Sequence, residues 1–254
     1  AQAAAFIDGF PRPVVLDIVE RTRRRAQALI ERGLCSDDPA ARPVDPDALS
    51  VVCVKHGRKY GPEYVNRLYA MVRRHLPGGW RFVCITDDAQ GLRPEVQTID
   101  ISKIKVSGWW TKIAMFDLRL PLGHDTVLYL DLDTVVVRPL RFVEGLRCGF
   151  HIFEHPDAPG FNSSVMLFDR RVAAPIFERL TRKDVARLPG DQEWIEECMS
   201  NADTFAPGAI GLYRSLEPDT PLEAITGGPM QIVTFPSNPK PHQISTGWVP
   251  ELWK

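Results

Sequence analysis

The chain has 254 residues, a length that fits one large α/β domain or two small ones and allows a substantial buried core. Hydrophobic residues make up 44% and charged residues 25%, which is ordinary usage and excludes collagen-like, disordered and small disulfide-stapled proteins. The 31 Lys and Arg nearly balance the 32 Asp and Glu, so no positive excess favours a nucleic-acid partner.

Five scattered cysteines without a CxxC pair are typical of a reduced protein. No apolar run reaches the roughly 20 residues of a transmembrane helix, and the first residues lack the features of a signal peptide. We therefore expect a cytoplasmic chain without a transmembrane segment.

The first 48 residues differ in character from the rest. Apolar residues recur at helical spacing over residues 12–34, which predicts one amphipathic helix. Residues 36–49 carry three prolines and four aspartates, a composition typical of a linker. We therefore divide the chain into an N-terminal helix with its Pro-rich linker, residues 1–48, and a main domain, residues 49–254.

The main domain alternates apolar, β-branched runs with helical patterns, and this predicts an α/β fold. Strands joined by crossover helices form a parallel sheet with helices on both faces, and such a sheet binds ligands beyond the carboxyl ends of its strands. The later strands follow one another closely, which predicts that the second half of the sheet is partly antiparallel. The predicted elements in chain order are a strand at 50–54, a helix at 64–75, a strand at 81–86, a helix at 111–119, a strand at 126–130, and further strands at 149–155 and 164–169.

Two carboxylates follow the predicted strand at 126–130. Asp131 and Asp133 are two positions apart, so in an extended chain they point to one side, about 7 Å apart. Oxygen ligands of this kind suit Mg²⁺ or Mn²⁺, with substrate phosphates completing the shell. A second Asp-x-Asp, at Asp45 and Asp47, lies in the Pro-rich linker and is not expected to bind metal.

Several ordered motifs within residues 50–245 resemble a known family. They are VVCVKHGRKYGPEYVNRL, GWWTKIAMFDL, VLYLDLDTVVV, FNSSVMLFD and GDQEWI. Their order resembles that of the GT-A nucleotide-diphospho-sugar transferases, in particular family 8, which includes glycogenin and the bacterial lipooligosaccharide galactosyltransferases. The resemblance implies a Rossmann-like, mixed and mostly parallel sheet flanked by helices.

The resemblance also implies an activity, namely metal-dependent hexosyl transfer from a UDP-sugar with retention of anomeric configuration. The acceptor would be a glycan, a protein or a small molecule. Because the amide of Gln192 is a poor nucleophile, front-face attack is favoured over a covalent intermediate.

By the same resemblance, specific residues acquire roles in donor binding and catalysis. Val54, Lys55 and Tyr60 would border the nucleobase, Leu132 would lie with Asp131 at the nucleotide, and Lys112 would contact the phosphates or sugar. Asn162 and Asp191 would bind sugar hydroxyls, and Gln192 would lie beneath the anomeric carbon. The family usually has a glycine two positions after the asparagine, and in this chain Ser164 occupies that position after Asn162.

The C-terminal region departs furthest from the family. Asp131 and Asp133 would hold Mn²⁺ or Mg²⁺, and Lys240 fits the diphosphate lysine. Thr234 or Pro236, however, stands where the family has a metal-binding histidine. His242 is the candidate third ligand, which predicts a preference for Mn²⁺ and weaker donor binding at acid pH.

Two alternatives remain open on the sequence. The strand and Asp-x-Asp also resemble the first motif of haloacid dehalogenase phosphatases, in which Asp131 would be the nucleophile and Asp133 the general acid. The altered C-terminal segment is also compatible with a sugar-nucleotide-binding module that has lost transfer.

Overall fold

The structure is a computed structural model that describes residues 42–102, 108–156, 160–217 and 219–254. The helix predicted at 12–34 and the first part of the linker lie outside these ranges, so the division at residue 48 stays a prediction. Within them, every helix is too short or too polar to cross a membrane.

In the part of the chain that the structure describes, ten strands form two sheets. In chain order they are β1 Leu49–Lys55, β2 Arg81–Thr86, β3 Gln97–Asp100, β4 Thr126–Leu130, β5 Thr134–Val136, β6 Phe150–Glu154, β7 Phe161–Asp169, β8 Asp203–Thr204, β9 Ile210–Leu212 and β10 Ile232–Thr234. The larger sheet has the order β3-β2-β1-β4-β7-β6-β8, and the smaller has the order β5-β10-β9.

The larger sheet is mixed, as the sequence pattern predicts. Strands β3, β2, β1 and β4 pair in parallel, and β7 runs antiparallel to both β4 and β6. The carboxyl ends of β1 and β4 therefore meet the beginning of β7 at one edge, which is where an open α/β sheet binds its ligands. The expected mixed and mostly parallel α/β architecture is confirmed.

Seven α-helices are described in these ranges: α1 Pro62–His75, α2 Phe142–Gly145, α3 Arg170–Glu178, α4 Arg182–Arg187, α5 Asp191–Cys198, α6 Leu222–Gly227 and α7 Trp248–Leu252. Short 3-10 helices occupy Pro46–Ala48, Gly108–Phe116, Tyr213–Ser215 and Pro241–Gln243.

The α-helix predicted at 111–119 is wrong. A 3-10 helix spans Gly108–Phe116 instead, and every residue from Trp110 to Phe116 is buried. The segment packs against α3 and α5, so from Trp110 onward it has no solvent-facing side to support an amphipathic α-helix. Packing around these buried residues determines its conformation.

Alternation along β1 shows how the core forms on both faces of the larger sheet. Val51 and Cys53 point to a cluster shared with α1, whereas Val52 points to a cluster shared with the 3-10 helix Gly108–Phe116 and α3. The four cysteines of the described residues are free.

Candidate active site

A cavity of about 540 Å³ opens at the carboxyl ends of β1 and β4. Its lining combines strand ends, the first turn of α5 and the 3-10 helix that precedes β4. The lining residues are Val54, His56, Lys59, Tyr60, Gly108, Trp109, Lys112, Tyr129, Asp131, Leu132, Asp133, Asn162, Ser163, Ser164, Pro189, Gly190, Asp191, Gln192, Glu193 and Pro236.

Backbone hydrogen bonds fix the Asp-x-Asp segment between the two sheets. The N–H of Asp131 donates to the carbonyl of Ser164 over 2.9 Å, which extends the pairing of β4 with β7. The N–H of Phe235 donates to the carbonyl of Asp133 over 3.1 Å, which extends the pairing of β5 with β10. Each aspartate is thus held by a different sheet.

Asp131 accepts two contacts on one oxygen. The hydroxyl of Tyr129 donates to Oδ1 over 2.6 Å, and Nζ of Lys112 lies 3.2 Å from the same atom. Burial, together with the charge of Asp131, raises the pKa of Tyr129. The tyrosine therefore remains a neutral donor to the carboxylate across the physiological pH range.

Lys112 is buried between two carboxylates. Its Nζ lies 3.1 Å from Oδ2 of Asp191 in addition to Asp131, and it donates to Oγ of Ser163 over 2.9 Å. Burial acts to lower the pKa of Lys112, but the charges of Asp131 and Asp191 outweigh burial and raise the pKa. The ammonium is therefore charged and links the Asp-x-Asp segment to the start of α5.

Asp133 has a separate set of partners. Its Oδ2 accepts from the hydroxyl of Tyr60 over 2.7 Å and from Nζ of Lys240 over 2.6 Å, while Lys240 also donates to the carbonyl of Phe235. Burial and the charge of Asp131 raise the pKa of Asp133, and Lys240 and Tyr60 oppose that rise. Each aspartate therefore has its own lysine.

The remaining predicted sugar-binding residues lie beside Lys112. Oγ of Ser163 donates to Oδ2 of Asp191 over 3.0 Å, and the backbone N–H of Ser163 donates to Oε1 of Gln192 over 3.3 Å. Oδ1 of Asn162 accepts from the N–H of Ser164 over 2.9 Å. The beginning of β7 and the beginning of α5 thus bring amide and carboxylate groups together on one wall of the cavity.

Lys55 and His242 do not line the cavity. Lys55 donates to the carbonyl of Asp88 over 3.1 Å, whereas its neighbour Val54 lies in the lining. His242 is exposed and its Nδ1 is hydrogen-bonded to the hydroxyl of Tyr64. Both assigned roles stay predictions, and the structure brings neither side chain to the Asp-x-Asp pair.

The two aspartates fit a divalent cation as a two-carboxylate site. Within the described residues, Oδ2 of Asp131 and Oδ1 of Asp133 make no hydrogen bond or ion pair, and both side chains line the cavity. No group of three His, Cys, Asp or Glu in the described ranges forms a metal cluster. Such a site matches Mg²⁺ or Mn²⁺ whose shell is completed by substrate oxygens and water.

Sequence reasoning missed several residues of the cavity. Tyr129 precedes Asp131 by two positions in an extended strand, so its hydroxyl could have been placed on the same side from the spacing alone. Ser163 has no such signal, because its role depends on β7 meeting α5. His56, Lys59 and Trp109 were given no role, and all three line the cavity.

Comparisons with solved structures find the same architecture. The glycosyltransferase GlyE of Streptococcus pneumoniae TIGR4 superposes with a TM-score of 0.56 and 18% identity, over 81% of this chain and 59% of GlyE. The galactosyltransferase LgtC, in complex with donor and acceptor sugar analogs, gives a TM-score of 0.58 and 15% identity, over 80% of this chain and 94% of LgtC. The chain shares their fold.

An active-site mutant of LgtC gives a similar result, with a TM-score of 0.58 and 13% identity. Neither the protein-family models nor the curated protein sequences give a match to this chain. At these identities the likeness establishes the fold, and the GT-A architecture expected from the motifs is confirmed. The chain spans less than two thirds of GlyE, the first of these proteins.

Proposed function

We propose that this chain is a glycosyltransferase that takes its sugar from a nucleotide-diphospho-sugar, with a UDP-sugar as the expected donor. One observation carries the proposal: a single cavity at the strand ends is lined by the Asp-x-Asp pair, by Lys112 and by the Asn162, Asp191 and Gln192 side chains, and Lys240, outside the lining, pairs with Asp133. These groups are complementary to a diphosphate at one end and to sugar hydroxyls at the other. GlyE and LgtC, which share the fold, are glycosyltransferases.

The lysines and tyrosine would bind the nucleotide part. Lys240 lies against Asp133, where it can contact a diphosphate through charge-assisted hydrogen bonds. Tyr60 lines the cavity next to the end of β1, and its hydroxyl is fixed by Asp133, so its ring orientation is preset for stacking on a base. Val54 and Leu132 add apolar contact.

Asp131 and Asp133 would hold Mn²⁺ or Mg²⁺ through the oxygens that other described residues leave unpaired. A cation there supplies charge neutralisation for the departing nucleoside diphosphate, a contribution worth several kcal/mol. His242 stays the proposed third ligand, and it would have to give up its hydrogen bond with Tyr64 to reach the pair.

The groups nearest the sugar favour front-face attack with retention. Asp191 is paired with Lys112 and accepts from Ser163, which makes its carboxylate a poor nucleophile. Gln192 offers a neutral amide. In a front-face reaction the acceptor hydroxyl forms its bond to the anomeric carbon on the face from which the diphosphate leaves, and the hydroxyl proton passes to the leaving diphosphate oxygen.

The geometry gives less support to the phosphatase alternative. A nucleophilic Asp131 would have to attack with a carboxylate that Lys112 and Tyr129 already hold, and the chain shares its fold with glycosyltransferases. The inactive binding module retains the same cavity and differs only in turnover.

The proposal is tested by donor turnover without acceptor. The chain is incubated with Mn²⁺ and, in turn, UDP-glucose, UDP-galactose, UDP-N-acetylglucosamine and GDP-mannose, and the released nucleoside diphosphate is measured by chromatography. We expect slow hydrolysis of at least one donor and its loss in Asp133→Asn. Asp203→Asn, which removes an exposed carboxylate on the short edge strand β8, is the matched control and should keep wild-type turnover.

The same assay distinguishes the alternatives. Metal-dependent donor binding without hydrolysis or transfer would identify the inactive module. Hydrolysis of p-nitrophenyl phosphate that depends on Asp131 would favour the phosphatase and contradict the proposal.

A further inference from the structure

Two adjacent tryptophans in the segment before β4 have opposite environments. Trp110 is buried in the core cluster with Ile113 and Phe116, whereas Trp109 is 66% exposed and lines the mouth of the cavity. Exposed large apolar side chains are uncommon in the described residues: only Trp109, Leu118 and Val185 qualify, and of these only Trp109 lies in the cavity. Tryptophan is enriched at binding interfaces because it combines a large apolar face with a polar N–H group.

The ring of Trp109 has a defined position. A Cβ added to Gly190 would lie 3.4 Å from Cε3 of Trp109, so the indole packs directly over the residue that precedes α5. Within the described ranges no aromatic ring or cation contacts it and its indole N–H makes no hydrogen bond. The ring is thus positioned on one side and open for a ligand on the other.

The neighbours of Trp109 define the chemistry of that ligand. Gln192 and Glu193, which lie two and three positions after the Gly190 that Trp109 covers, also line the cavity and offer an amide and a carboxylate. An aromatic face beside such groups is complementary to a pyranose ring, because its C–H face carries partial positive charge toward the negative π-face and its hydroxyls bond the polar groups. An anion is disfavoured there by the π-face itself.

The nucleobase and the transferred sugar have other proposed places in the cavity. The base would lie at the end of β1, near Val54 and Tyr60, on the other side of Asp131 from α5. The transferred sugar would lie against Asn162 and Asp191, which are each 5% exposed at the cavity floor. Trp109 stands at the mouth, where an acceptor approaches.

We propose that Trp109 is the stacking platform of an acceptor subsite, and that the acceptor is a carbohydrate whose apolar ring face packs on the indole. This inference rests on the proposed function, since a second sugar has a role only in a transferase. It adds a class of acceptor, a saccharide in preference to a protein or another small molecule, and assigns a residue that determines acceptor affinity.

The test is saturation-transfer NMR on the full chain with Mg²⁺, UDP and one of three disaccharides: lactose, maltose or cellobiose. Three variants are compared with the wild type: Trp109→Ala, Trp109→Phe and Leu118→Ala. Leu118 is 41% exposed and lies outside the cavity lining, so it is a matched control for losing an exposed apolar side chain. Thermal unfolding verifies that every variant is folded.

We expect at least one disaccharide to show saturation of its ring C–H protons in the wild type. Trp109→Ala should weaken that binding by about tenfold, the usual cost of truncating an aromatic anchor. The same variant should lose much less affinity for UDP. Trp109→Phe should retain part of the disaccharide affinity, and Leu118→Ala should bind the disaccharide as the wild type does.

Equal saccharide binding in the wild type and Trp109→Ala, or no saccharide signal with the wild type, would overturn the inference. The UDP signal in the same sample tests the proposed function separately. If UDP does not bind the wild-type chain, the proposed function fails, whereas the assignment of Trp109 as a saccharide platform is decided by the disaccharide signals alone.

Discussion

Lys112 is the residue on which the charge balance of the cavity most depends. Its buried ammonium faces Asp131 and Asp191 at 3.2 and 3.1 Å, so its removal leaves two carboxylates without a counter-ion. Breaking a buried ion pair in this way costs about 3 to 5 kcal/mol. We therefore expect Lys112→Ala to lower the free energy of unfolding by about 3 kcal/mol, as measured by urea denaturation.

Lys183→Ala is the matched control for this prediction. Lys183 is exposed on α4, and surface substitutions of this kind usually change stability by less than about 0.5 kcal/mol. If Lys112→Ala were as stable as Lys183→Ala, the carboxylates would be adequately solvated without the lysine, and the described ion-pair arrangement would be wrong.

At the scale of elements, β10 determines where the C-terminal segment meets the Asp-x-Asp pair. Phe235 follows β10 directly, is 1% exposed and stacks on Tyr213 with ring centroids 4.5 Å apart, while its backbone contacts both Asp133 and Lys240. Phe235→Ala should lower the free energy of unfolding by about 3 to 5 kcal/mol. Because the same change loosens the backbone that positions Lys240, UDP binding should weaken by about tenfold or more in calorimetry.

Phe82→Ala separates these two effects. Phe82 is 2% exposed on β2 and packs against Tyr69, outside the cavity lining, so its truncation should cost similar stability. At a temperature where both variants are folded, only Phe235→Ala should lose UDP affinity. Equal losses of affinity would mean that stability alone, not the position of the segment after β10, determines binding.

The sequence predicts a helix or strand correctly where the spacing of its apolar residues matches the face that is buried in the structure. The strand Arg81–Thr86 has the predicted bounds, and α1 extends the predicted helix by two residues, because each presents its buried side chains at the expected period. The 3-10 helix Gly108–Phe116 and the small sheet of β5, β9 and β10 were not predictable in this way. Their conformation depends on packing and on pairing between residues far apart in the chain.

At the scale of the whole molecule, strand order explains why the candidate site could be predicted in part. The sequence could place Asp131 and Asp133 because they follow a recognisable strand, and it could place the start of α5 because the motif GDQEWI marks it. The carboxyl ends of parallel strands then define the edge of the sheet where these residues meet. The pairing of each aspartate with its own lysine could not, since it requires β4 to lie between β1 and β7 and β10 to lie beside β5. The predicted role of His242 depends on a single-turn 3-10 helix, Pro241–Gln243, which is too short to leave a periodic signal in the sequence.

The central claim is that Asp131 and Asp133 hold a divalent cation that binds a nucleoside diphosphate in this cavity. Anomalous diffraction from crystals of the full chain grown with Mn²⁺ and UDP tests it directly. We expect one manganese peak at coordination distance from both carboxylates, with diphosphate oxygens completing the shell and the uracil near Tyr60. A manganese peak away from both aspartates, or ordered UDP elsewhere on the protein, would contradict the account.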